Sequence, residues 1–162
     1  MCTIGAVFDQ GNIHTFKQCD LIPKTDFNEP QKRSGSNGVT TYIAMTRQGT
    51  AGIWAGINDA GVAFVAADAY TTSSNYVVTG EQAQALFDAY EKSISDFTNA
   101  EEAAEFLENF YLGSSGMGAF PAPDISMITG WADSERTQPV AIFIEYMPGP
   151  NRHSPVRTIV RN

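Results

Sequence analysis

Asn58-Asp59-Ala60-Gly61-Val62-Ala63-Phe64-Val65-Ala66-Ala67-Asp68 is the stretch that decides how the chain is read. Asn, Asp and Gly form turns, because Asx side chains bond to nearby backbone and Gly accepts positive φ. The apolar block at 61–67 is strand-sized and far too short to cross a membrane. Its residues are mostly small, so another layer is expected to pack closely on it. Upstream, 40–47 and 52–58 read as strands around Gln48-Gly49, and the turn leads into an apolar strand at 62–68. Further upstream, 3–8 and 13–19 flank Asp9-Gln10-Gly11-Asn12, which is a hairpin pattern. Between them, 23–38 carries two prolines, two glycines and no periodicity, and is expected to be a long loop.

Downstream the period changes. Thr79 and Gln82 make a capping box, and Leu86, Ala89, Tyr90, Ile94 and Phe97 repeat at helical spacing, which predicts a helix over 80–97. A second helix is expected over 99–111. Glu101 and Glu102 lie at the positive end of its dipole, and Ala103, Ala104 and Leu107 form its apolar stripe. Strands are expected at 124–131, 139–146 and 155–160. The order predicts one α/β layered (α+β) domain over 1–162, with antiparallel sheets and both helices on one outer face. Two helices cannot cover both faces of so many strands, so two sheets or an unfinished layer are implied. A second chain or a homo-oligomer is the expected cover.

Composition narrows the classes of function. The 162 residues are 43% hydrophobic and 17% charged, as in a folded domain with a real core. Ten Lys and Arg against 18 Asp and Glu give a net charge of -8, with much of the acid in 81–108. The nearest things to basic clusters are Lys32 with Arg33 and Arg157 with Arg161, so there is no basic stripe for nucleic acid. Residues 1–8 lack the basic start and long apolar core of a secretory signal, and no membrane association is expected. The two cysteines, Cys2 and Cys19, are too few for a disulfide scaffold. The hairpin reading puts them on adjacent strands, where one bridge is geometrically open. Two free thiols in a cytoplasmic chain is the expectation adopted. No metal-binding, Rossmann or phosphate-loop motif is present, so neither a metal nor another cofactor is expected.

Cys2 is the candidate nucleophile. Once Met1 is removed, a cysteine at this position carries both a thiol and an α-amine. The amine has a pKa near ~8, so a useful fraction is neutral at pH 7 and can take the thiol proton. The same amine can return a proton to a leaving group, so no histidine is required. The hairpin reading brings Phe16-Lys17-Gln18-Cys19-Asp20-Leu21 beside the start of the first strand. Lys17 can lower the thiol pKa or hold a substrate carboxylate, and Asp20 can orient the α-ammonium or bind a substrate amine. Met117 and Phe120 are candidates for an apolar acyl pocket, and Tyr70 is a further pocket candidate at a strand end. Ordinary loop anchoring would also place these residues where they stand.

Three motifs carry a family resemblance: Met1-Cys2-Thr3, the 16–21 segment just quoted, and Ala55-Gly56-Ile57-Asn58-Asp59-Ala60-Gly61-Val62. Together they resemble the N-terminal-nucleophile (Ntn) cysteine amide hydrolases. The nearest branch holds the choloylglycine hydrolases, penicillin V acylases and isopenicillin N acyltransferases. The resemblance implies an αββα sandwich and attack on a linear amide by Cys2. It places Lys17 where the family has arginine, Gln18 where it has asparagine, Asp20 at the family aspartate, and Asn58 in the turn at the substrate side. Asp68 falls where members often carry an oxyanion-stabilising asparagine. A carboxylate there opposes a developing oxyanion, leaving backbone N–H groups of 68–70 as the candidate donors.

The resemblance also implies that the chain spans only the first half of the fold. It would then be a processed α chain, a truncated relative completed by a partner, or a compact variant. The expected activity is hydrolysis of a small-molecule amide through an acyl-thioester on Cys2. An acyltransferase of the same fold, which passes the acyl group to an amine, is the enzymatic alternative. A non-catalytic relative or structural subunit is the alternative from another class. Class II glutamine amidotransferases also begin Met-Cys, but usually continue with Gly, where this chain has Thr3.

Overall fold

The computed structural model describes residues 3–18, 26–36, 38, 40–49, 52–67, 76–114, 116, 118–133, 135–149 and 155–162. In chain order these form β1 (Thr3–Asp9), β2 (Asn12–Gln18), β3 (Gln31–Ser34), β4 (Thr41–Thr46), β5 (Ile53–Asn58) and β6 (Ala63–Ala67). Then come α1 (Gly80–Ser95), α2 (Ala100–Tyr111), β7 (Asp124–Trp131), β8 (Pro139–Tyr146) and β9 (Val156–Arg161). Strands β3 to β9 make one seven-stranded sheet in sequence order, and β1–β2 make a separate two-stranded sheet. Every strand pair is antiparallel, as expected.

One element departs from the sequence reading. Strand β3 lies inside the segment expected to be a loop. Its polar residues carry no apolar alternation, and it is held from outside as an edge strand. Arg33 pairs with Tyr42 in register and bonds Glu91 of α1 at 2.6 Å, and the Tyr42 hydroxyl donates to the same carboxylate at 2.5 Å.

Both helices cover one face of the large sheet. Thr79 caps α1 through the expected capping box, and the Asn99 side chain accepts from Glu102 N to start α2. Each such cap is worth about 1 kcal/mol. Leu86, Tyr90 and Ile94 of α1 and Ala103, Ala104, Leu107 and Tyr111 of α2 pack on Phe64, Ala66, Ile128, Ile142 and Ile144. Gly56 allows the closest approach. A Cβ there would lie 2.3 Å from Ile94 Cδ1 and 2.9 Å from the Ile43 carbonyl oxygen. No helix among the described residues is long and apolar enough to cross a membrane.

The hairpin lies on the opposite face. Val65, Met127 and Ala141 of the large sheet form a smaller core with Ile4, Ala6 and Phe8 of β1, Ala55 and Phe143. The layers are therefore helices, large sheet, hairpin. A second helical layer, which the αββα expectation would add, is not found among the described residues. Two strands cannot span seven, so apolar side chains flank the hairpin in the open. Ile43 and Ile57 are 47% and 50% exposed, and Val156 and Val160 of β9 are exposed as well.

Candidate functional site

The hairpin sets the geometry at its open end. Alternation turns Ile4, Ala6 and Phe8 of β1 and Ile13, Thr15 and Lys17 of β2 toward the large sheet. Gly5 faces outward and lets Phe16 lie flat across it, because a Cβ there would sit 2.4 Å from Phe16 Cζ. Thr3 pairs with Gln18 and Ile4 with Lys17, so the strand that begins just after Cys2 runs beside the Lys17 backbone. Thr15 and Thr129 join the two layers through their hydroxyls at 2.5 Å. Lys17 reaches further along the same interface, donating Nζ to the Ala66 carbonyl and standing 5.1 Å from the centre of the Trp54 ring.

Trp54 is the member of this cluster that the sequence reading missed. It reads as one more residue of an apolar strand, and no spacing in 52–58 ties it to Lys17. It is 5% exposed and meets Phe87 of α1 edge-on at 5.4 Å between ring centres. Its indole Nε1 is buried without a hydrogen-bond partner among the described residues. Lys17 takes no part in the ion pairs among the described residues. Two donors of high desolvation cost thus stand near each other at the end of β2, beside Ala66 of β6.

The other candidate residues fall as follows. Cys2, Asp20, Asp68, Tyr70 and Met117 lie outside the described residues, as do Cys19 and His153. Asn58, expected on the substrate side, is 5% exposed, and its amide is engaged in holding the chain. Its Nδ2 donates to the carbonyls of Ile94 and Phe97 at 2.9 and 2.8 Å, and its Oδ1 accepts from Val62 N at 2.9 Å. It ties the β5–β6 turn to the end of α1, while Gly61, at φ 86°, supplies the left-handed residue of that turn. Phe120, expected in an acyl pocket, is 4% exposed and packs against the rings of Phe110 and Tyr111. It packs on the helix side of the sheet, across from the hairpin.

An apolar groove of about 280 Å³ runs beside β2 on the half-covered face. Ile13 and Thr15 form one wall, and Ile43, Met45, Ile57 and Val65 are among the residues of its floor. Lys17 is the next inward-facing residue of β2 beyond Thr15. No cluster of three or more metal-ligating side chains occurs among the described residues.

No protein-family model, curated protein or solved structure matches the chain.

Proposed function

We propose that the chain is a cysteine amide hydrolase of the Ntn type, with Cys2 as nucleophile and a linear small-molecule amide as substrate. The observation that carries this reading is the position of Lys17. It is an inward-facing cation in register with Ile4, on the strand paired with the one that Cys2 leads into. The layered antiparallel architecture, with the hairpin on the face opposite the helices, agrees with the motifs at 1–3, 16–21 and 55–62.

In the proposed reaction the α-amine of a Met1-free Cys2 takes the thiol proton. The thiolate then adds to the amide carbon, the C–S bond forms, and the carbonyl π pair moves to oxygen. Collapse breaks the C–N bond as the α-ammonium hands its proton to the departing amine. Water, deprotonated by the same amine, attacks the thioester. The C–S bond then breaks, the acid leaves and the thiol is restored. Lys17 biases the thiol toward thiolate or holds an anionic group of the substrate, and Asp20 fixes the amine. Backbone N–H groups of 68–70 serve the oxyanion.

The test is differential alkylation. In protein shown by intact mass to lack Met1, peptide mass compares labelling of Cys2 and Cys19 over a pH series. Faster labelling of Cys2, with an apparent pKa well below ~8.5, is the expected result. Equal, slow labelling together with no acyl adduct from a panel of amides and esters overturns the reading. The half-covered sheet face supports association with a second chain or copy, and a monomer at all accessible concentrations overturns that part.

A further inference from the structure

We infer that Lys17 and Trp54 form a carboxylate-binding subsite at the end of β2, where the Lys17 side chain reaches Ala66 of β6 and the Trp54 ring of β5. Buried polar groups in folded proteins are almost always paired, so a buried donor without an acceptor calls for an explanation. Here two donors stand together. The Trp54 indole N–H is buried and has no acceptor among the described residues. The Lys17 ammonium is part-buried and carries three N–H groups. One of these goes to a neutral carbonyl, that of Ala66, and no carboxylate pairs with it among the described residues.

A cation taken out of water gains most from an anion that also accepts hydrogen bonds. A neutral backbone oxygen and an aromatic face compensate it only in part. Nζ stands over the ring, 5.1 Å from its centre, and on this proposal a carboxylate at the ring edge offers one oxygen to the indole N–H and the other to the ammonium as it swings. Each bond would be about 2.9 Å long. The flexible four-carbon stem of Lys17 lets its ammonium leave the Ala66 carbonyl and swing with the incoming oxygen. The donor set suits a monoanion with two oxygens. It offers one charge and no guanidinium fork, and the chain carries a net charge of -8, both of which disfavour phosphates.

Thr15, the inward-facing residue next to Lys17 on β2, lines the apolar groove, so on this proposal the carboxylate would be carried on an apolar body. As a statement about substrate, this inference rests on the proposed hydrolase and assigns its substrate an anionic carboxylate besides the scissile amide. As a statement about binding, it stands on the Lys17–Trp54 geometry alone.

The experiment uses the full chain with Cys2→Ala, which removes the nucleophilic atom, and Trp131→Phe, which leaves Trp54 as the sole indole. Sodium hexanoate and hexanamide are titrated while Trp54 emission is followed. Hexanoate should give a saturable change and hexanamide none. Lys17→Met should weaken hexanoate binding at least tenfold, and Lys17→Arg should retain most of it. Trp54→Phe, followed by calorimetry, should also weaken binding by about tenfold. Thermal melts of each variant confirm folding. Equal responses to acid and amide, no response to either, or full affinity in Lys17→Met overturns the proposal. If Asp20→Asn or Asp68→Asn alone shifts Trp54 emission and opens the site to hexanoate, the chain supplies its own carboxylate and the ligand site is overturned. Equal, slow labelling of Cys2 and Cys19 with no acyl adduct would defeat the hydrolase reading while leaving this binding intact. A silent titration would defeat the subsite and leave Cys2 untouched.

Discussion

The hydroxyl of Tyr111 donates to Oδ2 of Asp124 at 2.5 Å, and both residues are fully buried. Tyr90 of α1 donates to the same oxygen at 2.5 Å, and Ser126 lies 3.2 Å from the Tyr111 hydroxyl. One carboxylate at the start of β7 thus fastens both helices to the sheet. A hydrogen bond to a charged group is worth more than a neutral one, about 2 kcal/mol. Tyr111→Phe should therefore lower unfolding free energy by about that amount and Tm by roughly 4–8 °C. Denaturant melts check it, and a loss under about 0.5 kcal/mol would mean the bond contributes little.

The tyrosines also set the alkaline limit of stability. Burial, then the neighbouring Glu91, pushes the Tyr42 phenol up from 10.0 to about 12. Burial and then Asp124 hold the Tyr111 phenol well above its ordinary range. A phenol whose folded pKa exceeds its unfolded value keeps its proton in the folded state while the unfolded chain releases it. Its contribution is complete below the unfolded pKa and is lost as pH rises through the folded one. Unfolding free energy should therefore fall from pH 10 to 12, and Tyr42→Phe should flatten part of that fall. Urea melts across this range decide it. A slope unchanged in Tyr42→Phe would exclude Tyr42 as a contributor.

Gly56 is where α1 comes closest to the sheet. Gly56→Ala should cost about 1–3 kcal/mol, because the new methyl meets Ile94 and the Ile43 carbonyl. Ile94→Val frees space at the same point, so the double variant should lose less than the sum of the two single ones. A double-mutant cycle measures this, and strict additivity would mean the strain is relieved elsewhere.

On the proposed mechanism, Asp68 impairs oxyanion stabilisation. Asp68→Asn should raise the rate of amide turnover by roughly tenfold or more, since one good donor is worth about 3 kcal/mol in such sites. Steady-state rates on a responsive amide from the panel test it. An unchanged or lower kcat would remove Asp68 from the neighbourhood of the oxyanion.

The helices and most strands were legible because their signals are local. Thr79 and Gln82 close a capping box within one turn, Asn99 starts the next helix, and α1 and α2 bury the apolar stripes their period displays. The strands at 124–131 and 139–146 came out with the expected bounds, being apolar, β-rich and flanked by turn residues. Strand β3 was not legible. Gln31–Ser34 is polar, and what makes it a strand is its pairing with β4 and the Arg33–Glu91 bond to a helix 58 positions away. Asn58 was legible as a turn residue, but only the packed end of α1 shows where its amide is used.

By itself, then, the sequence determined the hairpin, both helices and the strands of the large sheet other than β3, and marked Cys2 and Lys17 as candidates for chemistry. Only the tertiary structure decided that the hairpin covers the face opposite the helices and that Lys17 crosses the gap to Ala66 and Trp54. Periodicity fixes which face of each element is apolar. It holds no information on which two apolar faces meet, and Lys17 and Trp54 become neighbours only after that choice is made.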